Sequence, residues 1–470
     1  MDLATHVANR LTFGSSPSVR AEIAAVGVDA WIDAQLDPAS ISDPEGDRIT
    51  GLFPALTASS RANESQGGSP PPFDQLRHSL TLRAVRSRRQ LHEVMVHVWH
   101  DHFNVRFVVP RTFHHIEPDR TVARRHALGT FRELLRASAH SAAMLLYLDN
   151  ASSNANSPLG VNENWARELL ELHTLGIVDG TQVYDEADVR GVAEIMSGWS
   201  LNDAFEFTYK PDFHHRGAVS VLGGGFSVGA DSGYADGVAL LDHLARHPST
   251  ARHLATKLVR RFVADDPPAA LVASAAQVYL DNDTAIVPVL RHIFASSAFR
   301  RGGEAKLKRP FELLMSMFRT LEVDIPDSAG PVATGQVVPW VVSGALDEMG
   351  LEPLTWPAPD GPPDTASYWM GSNMLLKRWR YGGQLTHGYL APLQVDLPSL
   401  LPTPRPTTAG GVIDALTSRL VGAAVTPDER AALLGFLGRG PDEPISTGET
   451  DQALANLVGL ILALPTFQYR

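Results

Sequence analysis

Residues Asn162–Gly176 read NENWARELLELHTLG, and this stretch decides the fold class. Asn162 can accept a backbone N–H at the start of a helix, Glu163 suits the positive helix end, and Gly176 supplies a left-handed stop. Trp165, Leu169 and Leu172 form an apolar stripe. Asn164, Glu168 and Glu171 lie together on the other side, with Arg167 at the border and Glu163 four residues before it. An amphipathic helix with one buried face and one polar face is the expectation.

Working outward, the same pattern recurs from end to end. Ser16 followed by Pro17 is a cap and first turn, and Gly27 closes the short helix that follows. Helical periods cover 28–36, 73–103, 121–148, 186–199 and 234–247, then 250–263, 268–280, 285–294, 305–321, 332–349, 412–420, 427–437 and 451–464. The stretch 205–228 differs: Phe205, Phe207 and Tyr209 alternate, as do Val219 and Val221 before Gly223. The fold class is therefore mainly α, a large multi-helix globular body with a small β-hairpin-like insertion near 205–228. A main helical domain over 1–400 carries the polar segments, and 401–470 is a C-terminal helical segment packed on it. Residues 38–72 are rich in Ser, Pro, Gly and Asp and read as a long surface loop. The stretch 351–381, with Trp356, Trp369 and Trp379, reads as a loop that walls a pocket or bridges lobes, and 392–406 as a proline-rich connector.

Composition bounds the function. Of 470 residues, 44% are hydrophobic and 20% charged, which suits a folded chain. Forty Lys and Arg against 52 Asp and Glu leave a net charge of -12, which opposes bulk attraction to nucleic acid or anionic membranes. Two basic clusters, Arg83 to Arg89 and Lys257 with Arg260 and Arg261, read as solvated helix faces. The absence of cysteine excludes disulfides, thiolate nucleophiles and cysteine-held metals. Residues 1–20 lack signal-peptide character and no stretch reaches membrane-span length, so the chain as it stands reads as cytoplasmic.

Three segments can carry chemistry. Leu91–Arg106, LHEVMVHVWHDHFNVR, holds His92, His97, His100 and His102. On one continuous helix His102 lies about 200° around from His100, so a shared metal requires the helix to end near Asp101. The second segment is Asn162–Gly176. Two carboxylates one turn apart, Glu168 and Glu171, can bind a cation or share a proton, and can equally form a wet face. The third is the His214–His215 pair, placed on a loop that can reach a distant helix.

WHDHF (99–103), LLYLDN (145–150), NENWARELLELHTLG (162–176), Ser197-Gly198-Trp199, the His214-x-x-Gly217 turn, HPSTARHLATKL (247–258) and Lys308-Arg309-Pro310 with Glu312 follow one another in a distinctive order. In this the chain resembles, from about Leu11 to the final LALPTFQYR, a large bacterial family catalogued as domain of unknown function 1800. The resemblance implies a mostly helical protein, often exported in other members, with no agreed activity. Its polar positions fall here on His100, His102, Asp149, Asn150, Asn162, Glu163, Asn164, Arg167, Glu168, Glu171 and His214. This chain departs from the family pattern at His215, where an Asp is usual, and at Val219, where a Lys is usual.

The expectation drawn from these segments is a divalent-metal-dependent enzyme, a hydrolase, acting on a small-molecule or polymeric substrate. His100, His102 and His214 would be metal ligands, Glu168 and Glu171 ligand or base, and Arg167 the anchor for an anionic group. Asn162, Asn164, Asp149 and Trp369 would touch substrate, and the metal's identity stays open. Two rivals are a metal-free carboxylate glycosidase and a non-catalytic scaffold whose buried charges satisfy one another.

Overall fold

The computed structural model describes residues 2–65, 70–106, 115–178, 180–231, 233–302, 305–333 and 335–470. Helix dominates, and sheet among these residues is confined to three two-stranded antiparallel ribbons. One ribbon, Val219–Val221 with Phe226–Val228, lies within the expected 205–228 insertion, and a second pairs its Phe207–Tyr209 strand with Trp199–Leu201 just ahead of it. The third, Ile177–Val178 with Thr181–Gln182, follows the Gly176 stop and was not anticipated.

Local signals account for the helix ends. Ser16 accepts the Val19 N–H, Pro17 opens the helix Pro17–Val26, and Gly27 ends it at φ +87°. Gly176 takes φ +68° as expected, and its neighbourhood adds a second constraint: a Cβ there would lie 2.3 Å from His253 Nδ1. Where the periodicity suggested one long helix, polar residues break it. The 73–103 stretch splits into Pro72–Arg86 and Gln90–His102, with Ser87 between them donating its hydroxyl to Asp43. The 121–148 stretch breaks at Gly129 and again at Ser141.

The 38–72 stretch is not the irregular loop its composition suggests. Asp43 caps the helix Pro44–Leu52, and Ser60–Ser65 forms a further helix. Ile49, Phe53 and Leu56 are buried, so apolar anchoring outweighs the turn-forming composition. Gly67, Gly68 and Ser69 lie outside the described residues.

One element is wholly interior. Every residue of the helix Pro310–Thr320 is buried, including Glu312 and Arg319. Around it pack Pro72–Arg86, Gln90–His102 and Pro248–Phe262, whose apolar faces belong to one continuous core. The last residues return to this centre: Lys308 N–H donates to the Gln468 carbonyl, Lys306 and Arg470 exchange backbone hydrogen bonds, and Leu307 pairs with Tyr469. The helices Ser372–Thr386 and Thr447–Ala463 meet closely through Gly382, Gly383 and Gly459. No helix among the described residues is long and apolar enough to cross a membrane.

Candidate functional site

The helix Gln90–His102 is anchored by Leu91, Val94, Met95 and Trp99, and the Trp99 indole donates to the Ala127 carbonyl at 2.9 Å. It runs through His102 without the break near Asp101 that a shared metal would need. Its last turn therefore sends three polar side chains in three directions. His100 Nε2 meets Asp119 Oδ1 at 2.9 Å, Asp101 Oδ2 meets Arg309 Nη1 at 2.8 Å, and His102 turns toward Lys257.

His102 can be assigned a tautomer from its partners. Its Nε2 lies 3.2 Å from the His173 carbonyl, which only accepts, so Nε2 carries the hydrogen. Nδ1 is then the lone-pair nitrogen, and Lys257 Nζ donates to it at 3.0 Å. The His173 carbonyl is presented by a wide π turn, Leu169–His173, which continues the short helix Asn164–Glu168. His253 Nε2 bonds the Leu172 carbonyl of the same turn. Burial first, and the Lys257 charge second, hold His173 and His253 down to about 3 and push His102 well below its usual range. Lys257 thus sits among neutral imidazoles, and burial lowers its own amine to about 8 against the opposing pull of Asp101 and Asp360.

His102 and Lys257 line a cavity of about 260 Å³. The helix Gln90–His102 contributes Asp101 and His102, the helix Pro248–Phe262 contributes Lys257, Arg260 and Arg261, and Asp360–Asp364 closes the far wall. Gly361 makes that closure possible: at φ +74° it packs on Asp101, whose carbonyl oxygen would lie 2.0 Å from an added Cβ. The loop is pinned by Lys306, which bonds Asp265 and the Asp364 carbonyl.

Behind the cavity, Glu312 gathers three arginines. Arg261 bonds Oε1, Arg309 Nε reaches the same oxygen at 3.0 Å, and Arg470 lies 3.5 Å from Oε2. Burial alone would raise the Glu312 carboxyl, but Arg261, Arg470 and Arg309 outweigh it and hold it far below its usual range. Asp364 is likewise held down, by Lys306, Arg309 and Arg261 against burial. Arg261 lines the cavity at 3% side-chain exposure, and its Nε and Nη2 have no hydrogen-bond partner among the described residues. Asp101 differs in sign, since burial raises it more than Arg309 lowers it.

The residues expected from the sequence are distributed rather than gathered. His214 Nδ1 meets the Ser197 carbonyl at 2.8 Å and packs against Tyr209 in the ribbon region. With His100 on Asp119 and His102 on Lys257 and His173, the three histidines do not present a common ligand set, and no group of three or more His, Asp or Glu among the described residues is arranged to hold a metal ion. The donor set present does not fit the expected metal.

Glu168 and Glu171 are half-buried, and Arg167 reaches out to Glu186 through a two-pronged pair at 2.6 and 2.8 Å. Burial, then Glu171, raises the Glu168 carboxyl, with Arg167 opposing and Asp360 adding to the rise. Asn162 caps one residue earlier than its helix, accepting the Asn164 N–H, while Asn164 itself is exposed. Asp149 is exposed in a left-handed turn at φ +61°. Trp369 is not available to stack on substrate: it is 1% exposed, and its indole donates to the Pro363 carbonyl, which buttresses the cavity wall.

Length and order of these elements can now be set against known proteins. A family model described as protein of unknown function (DUF1800) matches residues 6–469. The chain belongs to the DUF1800 family. No curated protein and no solved structure matches it. In the DUF1800 chain the groups that build the cavity were mostly read otherwise from sequence. Lys257, Arg260 and Arg261 looked like a solvated face, and Asp101, Asp360 and Asp364 were not singled out. The usable signal was the Lys308-Arg309-Pro310 run with Glu312, a helix start whose N3 carboxylate bonds the Arg309 backbone.

Proposed function

We propose that the Lys257 cavity binds a small organic anion bearing a carbonyl group and that the Lys257 amine forms a Schiff base with it. The observation that carries this reading is an amine lowered to about 8, 3.0 Å from a neutral imidazole nitrogen and with access to a cavity of about 260 Å³. An amine lowered this far keeps roughly a tenth of its population uncharged at pH 7, far more than an ordinary lysine, and the uncharged form is the nucleophile. His102 Nδ1 is placed to take the proton that the amine loses on adding to the carbonyl carbon. Asp101, whose carboxyl is raised by burial, is suited to return a proton to the hydroxyl that leaves as water. Arg260 and the two unbonded nitrogens of Arg261 offer the matching charge for a carboxylate or phosphate.

The test exploits the chain's five lysines, Lys210, Lys257, Lys306, Lys308 and Lys377. Incubation with a panel of 2-oxo acids and cyanoborohydride, followed by peptide mass mapping, is expected to place the adduct on Lys257 and to lose it in Lys257→Arg. Adducts confined to Lys210 and Lys377 would overturn the reading. A second reading, acid catalysis at a glycosidic bond, is favoured by the raised carboxyl of Glu168 beside Glu171 and Asp360. It predicts polysaccharide cleavage that survives Lys257→Arg and disappears in Glu168→Gln.

A further inference from the structure

The other end of the helix Gln90–His102 borders a second cavity, of about 350 Å³, lined by Arg83, Arg89, His92, Arg120, Arg124 and Arg125. From Glu93 to His102 the helix spans roughly 13 Å, so this cavity is distinct from the one at Lys257. Its charges are unevenly compensated. Arg89 pairs with Asp47, and Arg124 pairs with Glu93 and Asp119. Among the described residues Arg83 bonds the Gly46 carbonyl and the Thr50 hydroxyl, and Arg120 the Leu56 and Ala58 carbonyls. Among the described residues neither these two nor Arg125 has a carboxylate partner. Arg124 Nη2 is buried with no hydrogen-bond partner among the described residues.

The nearby carboxylates act on Arg83 and Arg120 only through space: Glu93, Asp119 and Asp43 favour the charge on Arg83, and Arg120 favours that on Glu117, without direct pairing. Asp43 is committed to the Gly46 N–H and the Ser87 hydroxyl, and both oxygens of Glu93 to Arg124. Three guanidinium groups with no directly paired carboxylate among the described residues, together with an unmet N–H donor, leave donors that a multiply charged oxyanion can engage. Guanidinium forks match the tetrahedral oxygens of such an anion.

We propose that this arginine-lined cavity is a binding site for a phosphate group, free or carried on a small organic ester. Its floor continues through Arg124 and Asp119 to His100, so occupancy here loads the same ion-pair chain that fixes the last turn of the helix Gln90–His102, which carries His102 to Lys257.

Calorimetric titration with inorganic phosphate, pyrophosphate and glycerol phosphate, against chloride at matched ionic strength, tests this. Saturable binding of the phosphates is expected, weakened at least tenfold in the Arg120→Gln, Arg125→Gln double variant and unchanged in Lys257→Gln. Tighter binding of glycerol phosphate than of inorganic phosphate assigns the site to an ester, and the reverse to a free anion. Should the double variant fail to fold, Arg125→Gln alone, at an exposed side chain, is expected to weaken binding about threefold. Heats no different from chloride, or affinity unaltered in the variants at Arg120 and Arg125, would overturn the proposal. Loss of binding in Lys257→Gln would move the anion to the first cavity and also overturn it.

Discussion

Glu312 and Glu186 both bind arginine, one at the centre of the molecule and the other at its surface. The Glu312 side chain is 5% exposed and meets Arg261, Arg309 and Arg470, whereas Glu186 is 75% exposed and shares Arg167 with Glu163. Water solvates the outer pair whether or not it forms, so its geometry is free to relax. The inner cluster has no such alternative: withdrawing one charge strands the others in a poorly polarisable medium. The difference explains why the conspicuous polar helix Asn162–Gly176 is mostly a solvated face, while the cavity is built around charges that the sequence presents less prominently.

The comparison is sharpest at Glu312. Replacement by Gln leaves three buried arginines short of a carboxylate, and a loss of about 3–5 kcal/mol in unfolding free energy is expected from urea denaturation. A loss below about 1 kcal/mol would place the two glutamates in the same class. Next in size is Gly361→Ala, where both the positive φ and the approach to Asp101 oppose a Cβ. About 1–3 kcal/mol of destabilisation is expected, together with weakened ligand binding as the Asp360–Asp364 wall withdraws.

Smaller still is the pH signature of Lys257. Its folded value of about 8 lies below the ordinary 10.5, so the unfolded chain binds more protons between those limits. Stability attributable to Lys257 therefore rises with pH across that window, and the cost of charging it in the fold is fully present below about 8. Relative to Lys257→Met, the wild type should gain on the order of 1–2 kcal/mol from pH 8 to pH 10.5, a figure reduced for the solvent the side chain still meets. A difference flat with pH would show an ordinary amine. At the low end, Arg167→Ala and Glu186→Gln are expected to leave the melting temperature unchanged within error.

Much of the fold is readable locally, because caps and stops act within a few residues. Ser16 with Pro17, Gly27 and Gly176 each do what their chemistry suggests, and the 205–228 insertion holds the expected ribbon. Helix geometry also foretold that His100 and His102 diverge on a continuous helix, as they do. The cavity was not readable in the same way. Lys257, Arg260 and Arg261 follow the same spacing as any solvated basic face, and only the arrival of Asp101, Glu312 and Asp364 from distant parts of the chain makes their surroundings enclosed. Composition misled over 38–72 for the same reason, since the burial of Ile49, Phe53 and Leu56 depends on elements outside it.

The central claim is that the fold lowers the Lys257 amine to about 8, so that its uncharged fraction near neutral pH far exceeds that of an ordinary lysine. Reductive ¹³C-methylation of the five lysines, with Lys257→Arg to assign the resonance, permits its titration by NMR in the folded protein. A midpoint near 8 for the Lys257 resonance is the predicted result. A midpoint above 10 for Lys257 would contradict the account and remove the basis for its proposed chemistry.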